Sequence, residues 1–358
     1  MTTTPLHTTR LCLVTELLDE PFDEGMKVFS LNLARYLEQH VQMLAISNSS
    51  VPPATPATLS VPFGKSMLSR RLRAALRAFE PDILLYLPKS SLTAATFLRL
   101  IALNRMVPAA RLAVIGLQPR QSGLWTRAFV PLLSSLHVFT QSMKAASAMA
   151  ACGFRTSRVP PGIDIVRFHP VDSTTKAALR RKFGLRSDRY TVLHVGHLAA
   201  SRNLETLVEI AARPRTQVVL VASTSTPQDA GLRTALSNAG ITVLDRVVPQ
   251  IEELYQLSDA YVFPVLDPTG AIEMPLSVLE AMACGIQVLT TPFGDLPQLF
   301  PSVPGVVFWR TTAELMRGLD ALREEAPEPT GARRAVEYFG WDSAFGQLLG
   351  MLQAEAIQ

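Results

Sequence analysis

The stretch Ile272–Phe293, IEMPLSVLEAMACGIQVLTTPF, concentrates residues that could hold an anion and a sugar diol. Pro275 is pre-set for the first turn of a helix, which would leave the amides of Leu276, Ser277 and Val278 free at its N-terminus. Free amides and the helix dipole together favour an anion such as a pyrophosphate. Glu280 would lie one turn further in, where a carboxylate can accept paired hydrogen bonds from a ribose diol. Gly285 would end the helix and allow a tight return into the strand Ile286–Thr290. On periodicity alone, the same stretch also reads as an ordinary helix–strand unit with a solvated glutamate. The loop residues Asp267-Pro268-Thr269-Gly270 precede it.

These residues need a scaffold, and apolar periodicity supplies one. Arg10–Thr15, Val41–Ser47, Ile83–Leu87, Arg111–Leu117 and Leu136–Thr140 read as buried strands. Between and after them, Met26–Glu38, Met67–Phe79, Leu92–Leu103 and Ser142–Ala151 read as helices. The Pro- and Gly-rich segment Val159–Pro170 breaks the rhythm and marks a domain boundary. A second series follows, with strands at Thr191–Val195, Thr216–Val221, Ile241–Leu244, Ala260–Val265 and Ile286–Thr290. Helices are expected at Asn203–Ala212, Ala230–Ala239, Ile251–Leu257 and Leu276–Cys284. Repeated alternation implies right-handed crossovers and parallel sheets. The expected fold class is α/β, two tandem Rossmann-like doubly wound domains, with ligands between them at the carboxyl ends of the strands. The domains are expected at 1–163 and 164–335, with a helix at 336–358 packing back on the first.

Composition agrees with that class. In 358 residues, 48% are apolar and only 7% aromatic, which suits helix-covered parallel sheets. Cys12, Cys152 and Cys284 show no metal-ligand spacing and read as buried, reduced thiols. No apolar run approaches the ~20 residues of a membrane span, and the N-terminus lacks a signal-like core. A soluble cytoplasmic protein is expected. Up to Ile163 there are 17 Lys and Arg against 8 Asp and Glu; the remainder has 17 against 22. The basic first half suggests an anionic partner. Arg70, Arg73 and Arg77, with Arg71 and Lys65 nearby, fall beside an apolar stripe of Leu68, Leu72 and Leu76. That pattern fits either an anionic membrane surface or acceptor, or a solvated helix face. Nucleic acid is not expected, because no aromatics interleave with the basic residues.

The string PLSVLEAMACG, followed by a strand and TTPFGD, resembles the donor-site signature of glycosyltransferase family 4, which has the GT-B fold. Val159–Pro170, Ala178–Leu185, residues 192–208, Glu252–Pro264 and Gly340-Trp341 resemble further family segments in the right order. The resemblance implies a retaining hexosyl transfer from a nucleoside-diphosphate sugar, with Glu280 holding the donor ribose. The family's first paired glutamate would fall on Ile272, so Glu273, one residue later, is the candidate for the donor sugar if the loop shifts register. The family's diphosphate-binding cations fall on His197 and Arg202, after Gly196. Arg202 keeps a permanent bidentate charge; His197 is a weaker cation, or simply a loop or core histidine. Gly25 falls where the family places glycine close to the donor, though Glu24-Gly25-Met26 replaces a Gly-Gly pair. Gln118, with Arg120 beside it, takes the place of an acceptor-side histidine, and glutamine is no general base.

No paired DxD carboxylates occur, so no metal or other cofactor is expected. The acceptor could be a saccharide, a lipid-linked sugar or a small molecule. The rival reading is a catalytically degenerate GT-B protein that binds nucleotide sugar or partners an active transferase. An epimerase or phosphorylase fits the donor string less well. A nicotinamide dehydrogenase fails for want of a GxGxxG fingerprint after either first strand.

Overall fold

The computed structural model describes residues 9–48, 54–118, 123–324 and 330–354. The chain divides into two compact units: residues to Gly162 together with those from Trp341 onward, and Ile163–Gly340.

The first unit is built on seven parallel strands, β1 (Arg10–Thr15), β2 (Gln42–Ser47), β3 (Thr58–Ser60), β4 (Ile83–Leu87), β5 (Arg111–Gly116), β6 (His137–Thr140) and β7 (Arg155–Arg158), ordered β3-β2-β1-β4-β5-β6-β7. The central strands are continuous apolar runs because helices cover both faces. β3 and β7 escape the pattern reading: both are short edge strands, and RTSR has no apolar residue at all. The helix Trp341–Ala354 returns to this unit and buries Phe345, Leu348 and Leu352 against the helix Gly25–His40. Phe29 packs edge-on to both Trp341 and Phe345, with centroids 6.0 and 5.3 Å apart. The Arg111 guanidinium donates to the Leu352 carbonyl at 2.9 Å.

The second unit has six parallel strands: β8 (Tyr190–Gly196), β9 (Thr216–Ala222), β10 (Thr242–Leu244), β11 (Ala260–Phe263), β12 (Gln287–Thr290) and β13 (Val306–Phe308). Their order is β10-β9-β8-β11-β12-β13. The winding reverses between β8 and β11, and the register there pairs Ala260 with Val192. In an open α/β sheet, the crevice beyond the carboxyl ends of such a strand pair is where ligands bind. Two parallel, doubly wound, Rossmann-like sheets therefore make the fold.

Several expectations need correction. The basic helix begins at Arg70 and not at Met67: Met67 takes a left-handed φ of 56°, and Ser69 caps the helix by accepting from the Leu72 amide. Leu72 and Leu76 are buried in the core, so the stripe beside the arginines is already used. Only Leu68 of the three is exposed, at 66%. Cys12 and Cys284 are buried, and burial pushes both thiols up; Cys152 is only half-buried. The return to the first unit comes at Trp341, because the preceding residues belong to the second. Arg333 donates to the carbonyls of Ala283, Phe168 and Ile165, and Phe339 packs edge-on to Phe300. No helix among the described residues is long and apolar enough to cross a membrane.

Candidate functional site

Three loops at the carboxyl ends of β8, β11 and β12 position the side chains singled out above in the second unit. β8 ends on Gly196, and the loop after it holds His197 and Arg202. Arg202 closes a single 3-10 turn, Ala200–Arg202, and Asn203 follows in the left-handed conformation with φ 53°. Asparagine tolerates that conformation, and its Nδ2 donates to the Pro264 carbonyl at 3.2 Å, tying this loop to the one after β11. The expected helix from Asn203 therefore starts only at Thr206. Arg202 is 8% exposed, and its charge acts on both His194 and Tyr261. His197 is partly buried in the same loop.

His194, near the end of β8, carries no signal in the sequence that would single it out. It is fully buried, and its Nδ1 lies 2.9 Å from the Val262 carbonyl oxygen. Its Nε2 has no hydrogen-bond partner among the described residues. Burial pushes its pKa down to about 4, and the Arg202 and His197 charges add to this. The imidazole is thus neutral at physiological pH. Because Nδ1 donates to a carbonyl, Nε2 carries the lone pair. A Cβ on Gly196 would sit 2.9 Å from that Nε2 and 3.5 Å from Arg202 Nη1, so glycine is what lets the two approach.

The loop after β11 leads into the helix Leu276–Ala283. Pro275 is its N-cap, and its side chain offers the first turn no hydrogen bond. The Val278 amide donates back to the Pro275 carbonyl at 3.1 Å, which corrects the expectation of three free amides to two, those of Leu276 and Ser277. The helix's far end is held by Arg333 Nη1, 2.8 Å from the Ala283 carbonyl, a cation where the dipole is negative. Glu280 and Ser277 are partly exposed; the flanking Leu276, Val278 and Leu279 are buried.

Two buried tyrosines reach these polar side chains from behind. Tyr255, on the helix Glu252–Leu257, donates to Glu280 Oε2 at 2.6 Å. Tyr261, on β11, donates to Ser277 Oγ at 2.7 Å. Burial raises the Glu280 carboxyl to about 7; the Tyr255 hydrogen bond and the Arg167 charge oppose this, and Glu252 reinforces it. Sequence reasoning missed both tyrosines. The available signal was a tyrosine inside a buried run, whose hydroxyl must find a partner.

Glu273 is 2% exposed and Ile272 8%, so both are enclosed by the loop. Gly294, in the loop after β12, has φ +54°, and a Cβ there would lie 2.0 Å from the Glu273 carbonyl oxygen. Gly294→Ala meets both a left-handed penalty of about 1 kcal/mol and a backbone collision. A loss of roughly 2–3 kcal/mol is expected, a drop in Tm of several degrees on thermal unfolding. A Tm unchanged within one degree would show that Glu273 is not held from this side.

In the first unit, Gly25 opens the helix Gly25–His40 with Glu24 at its N-cap. Gln118 lies just past β5, its amide and carbonyl both bonded to the Ser91 hydroxyl at 3.3 and 2.8 Å. Arg120 lies outside the described residues.

Likeness to known proteins follows the same division. Residues 189–324 match the family model Glycosyl transferases group 1. A D-inositol 3-phosphate glycosyltransferase of Geodermatophilus obscurus is 31% identical over 222 residues, 56% of this chain and 48% of that protein. A GDP-mannose-dependent monoacylated alpha-(1-6)-phosphatidylinositol monomannoside mannosyltransferase of Corynebacterium glutamicum is 24% identical over 214 residues, 55% of this chain and 56% of that one. The matched stretch thus spans about half the length of these relatives. Among solved structures, a sucrose-phosphate synthase from Thermosynechococcus elongatus superposes with TM-score 0.79 at 15% identity, covering 98% of this chain and 100% of that one. HepE of Anabaena, in complex with UDP and glucose, gives 0.73 at 17% identity, covering 97% and 100%. At such identities the likeness is one of fold.

Proposed function

We propose that this chain, of the GT-B glycosyltransferase type and with a Glycosyl transferases group 1 domain at residues 189–324, moves a sugar from a nucleoside-diphosphate sugar to an acceptor hydroxyl. The observation that carries the reading is the arrangement of Ser277 and Glu280 on an uncapped helix end at the switch point of the second sheet, with Arg202 in the adjoining loop. The Leu276 and Ser277 amides and the Arg202 guanidinium would bind the diphosphate, and Glu280 the ribose diol. Gly196 ends β8 beside the loop that holds His197, both assigned to the donor, Pro275 and Val278 shape the helix end, and Glu273 is assigned to the donor sugar. Gly25, Gln118 and Arg120 are assigned to the first unit's share of donor and acceptor.

As the sugar–phosphate bond breaks, negative charge grows on the departing nucleoside diphosphate. Fixed donors aimed at that charge stabilise it without reorganising, and in many enzymes this supplies more of the rate enhancement than any other effect. In this reading Arg202 and the helix amides supply that stabilisation, and no divalent cation or cofactor is called on. The family resemblance supports a transfer with retention of anomeric configuration. Incubation with a panel of UDP-, GDP- and ADP-hexoses should show slow hydrolysis of one of them, which would also name the donor. Tight binding with no hydrolysis and no transfer to any saccharide acceptor would favour a degenerate binder. That second reading is supported by Ile272 and His197, which stand where family members carry an acid and a strong cation.

Arg70, Arg71, Arg73 and Arg77 are all exposed, beside the exposed Leu68. We assign this face to an anionic membrane surface, with charge and not insertion as the attraction, since Leu72 and Leu76 are committed to the core. Salt-sensitive flotation with anionic vesicles is expected; flotation equal to that with neutral vesicles would dispose of the contact.

A further inference from the structure

The two tyrosines behind the donor helix repeat one device on two different side chains. Both are fully buried, their ring centroids 5.8 Å apart, on elements that are separate in sequence. Phenylalanine would fill the same space without the cost of burying a hydroxyl, so each hydroxyl calls for its own account. Each gives its single proton to one polar side chain of the helix Leu276–Ala283. We infer that Tyr255 and Tyr261 are positioning residues that divide the donor between them, Tyr255 aiming Glu280 at the ribose diol and Tyr261 turning the Ser277 hydroxyl proton toward the diphosphate. The inference rests on the donor-site reading above and deepens it.

Hydrogen bonds on the two side chains leave one position open on each. Tyr255 occupies Glu280 Oε2, and no protein donor among the described residues takes Oε1. The carboxylate is thereby fixed with one oxygen held from behind and one free for a ligand. Ser277 Oγ accepts from Tyr261, so its own proton must be given elsewhere, and no protein acceptor for it exists among the described residues. Tyr261 also lies 3.4 Å from the Val195 carbonyl, too long to compete with 2.7 Å. The Ser277 hydroxyl and the two free amides of the first turn then give three donors at one helix end, as a phosphate oxygen cluster requires. Burial lifts both phenols well above their ordinary value, so both remain donors at any working pH.

The two roles are separable by ligand truncation. With the full chain, affinities are measured for UDP, GDP and ADP; for the base that binds, the free nucleoside and the 2′,3′-dideoxynucleoside diphosphate are added. The parent should prefer the ribonucleotide over the dideoxy form, and the diphosphate over the nucleoside, each about tenfold or more. Tyr255→Phe should bring the first preference to within about threefold and leave the second; Tyr261→Phe should do the reverse. These are ratios within one protein preparation, so a partly unfolded variant does not distort them. In a Ser277→Ala background, Tyr261→Phe should have no further effect on the diphosphate ratio. Variants that weaken all three ligands in equal proportion, or change no ratio, would reduce the tyrosines to packing residues and overturn the inference. A parent that binds none of the diphosphates would instead overturn the donor-site reading beneath it.

Discussion

At pH 8, Glu280→Gln should unfold at a temperature about 5 °C above the parent while binding its nucleotide sugar about 100-fold more weakly. Both effects come from one cause. The carboxyl accepts from Tyr255, and burial there raises it to about 7. In the unfolded chain a glutamate ionises near ~4.3, so between these values the folded state holds a proton that the unfolded state has lost. Stability contributed by this group therefore falls as pH rises from about 4.3 to 7 and stays low above. A shift of this size, discounted for the group's partial exposure, amounts to about 2 kcal/mol at pH 8. Glutamine carries no such penalty and still accepts from the Tyr255 hydroxyl. The gain in Tm should shrink to nothing by about pH 4, which thermal unfolding across pH can follow. Affinity runs the other way, because a charged acceptor gives the diol the stronger hydrogen bonds, at about 1.5–3 kcal/mol each.

The parent's own pH profile gives a second check. A nucleotide sugar's diphosphate has no proton to gain near neutrality, so Glu280 and the loop histidine His197 shape the profile, and the Glu280 part is read in a His197→Gln background. Affinity should rise roughly tenfold from pH 6 to pH 8 as the carboxyl ionises. A Glu280→Gln affinity within threefold of the parent at pH 8 would remove Glu280 from the site. A flat profile in the His197→Gln background would show that the Glu280 titration does not govern binding.

Much of the second unit is legible in the chain itself. Runs such as TVLHV and QVVLVA can be covered parallel strands and little else, and their alternation with helices leaves few windings. PLSVLEAMACG places Pro275, Ser277 and Glu280 on one short helix, because a local string fixes a local element. Arg202 was legible as a permanent cation, but its 3-10 turn depends on Asn203 bonding Pro264, a contact between two loops 61 positions apart. The hydroxyl partnerships were not legible for a similar reason: Tyr261 to Ser277 spans 16 positions and Tyr255 to Glu280 spans 25. Only the pairing of β8 with β11, and the helix packed upon them, brings those atoms together. The edge strands Thr58–Ser60, Arg155–Arg158 and Val306–Phe308 are too short or too polar to leave a periodic signal. Glu273 follows the same rule, since its backbone is pinned by Gly294 from the loop after β12.

Arg202→Ala should lower kcat/KM for donor hydrolysis or transfer about 10³-fold, with Arg202→Lys recovering only about tenfold of that loss. A guanidinium that is 8% exposed works in a weakly screened setting, where its charge stabilises a departing diphosphate far more than it would in water. Loss of a comparable fixed donor costs ~10²–10³ in kcat, and loss of a full charge extends that range. Lysine keeps the charge but not the planar fork that meets two phosphate oxygens at once. The loss should fall mainly on kcat, because charge on the leaving group is greatest in the transition state. His194 supplies an independent reading of the same variant. Its imidazole is held near about 4 by burial first, with the Arg202 charge beside it adding to the shift. Arg202→Ala should therefore let the His194 pKa rise, visible in NMR titration of its ring protons, while Tyr255→Phe should leave it in place. If Arg202→Ala moves His194 but spares turnover, the guanidinium is a buried structural cation and the diphosphate is held elsewhere. If it abolishes turnover and moves His194 together, the charge that adds to the effect of burial on the histidine is also the one that faces the donor.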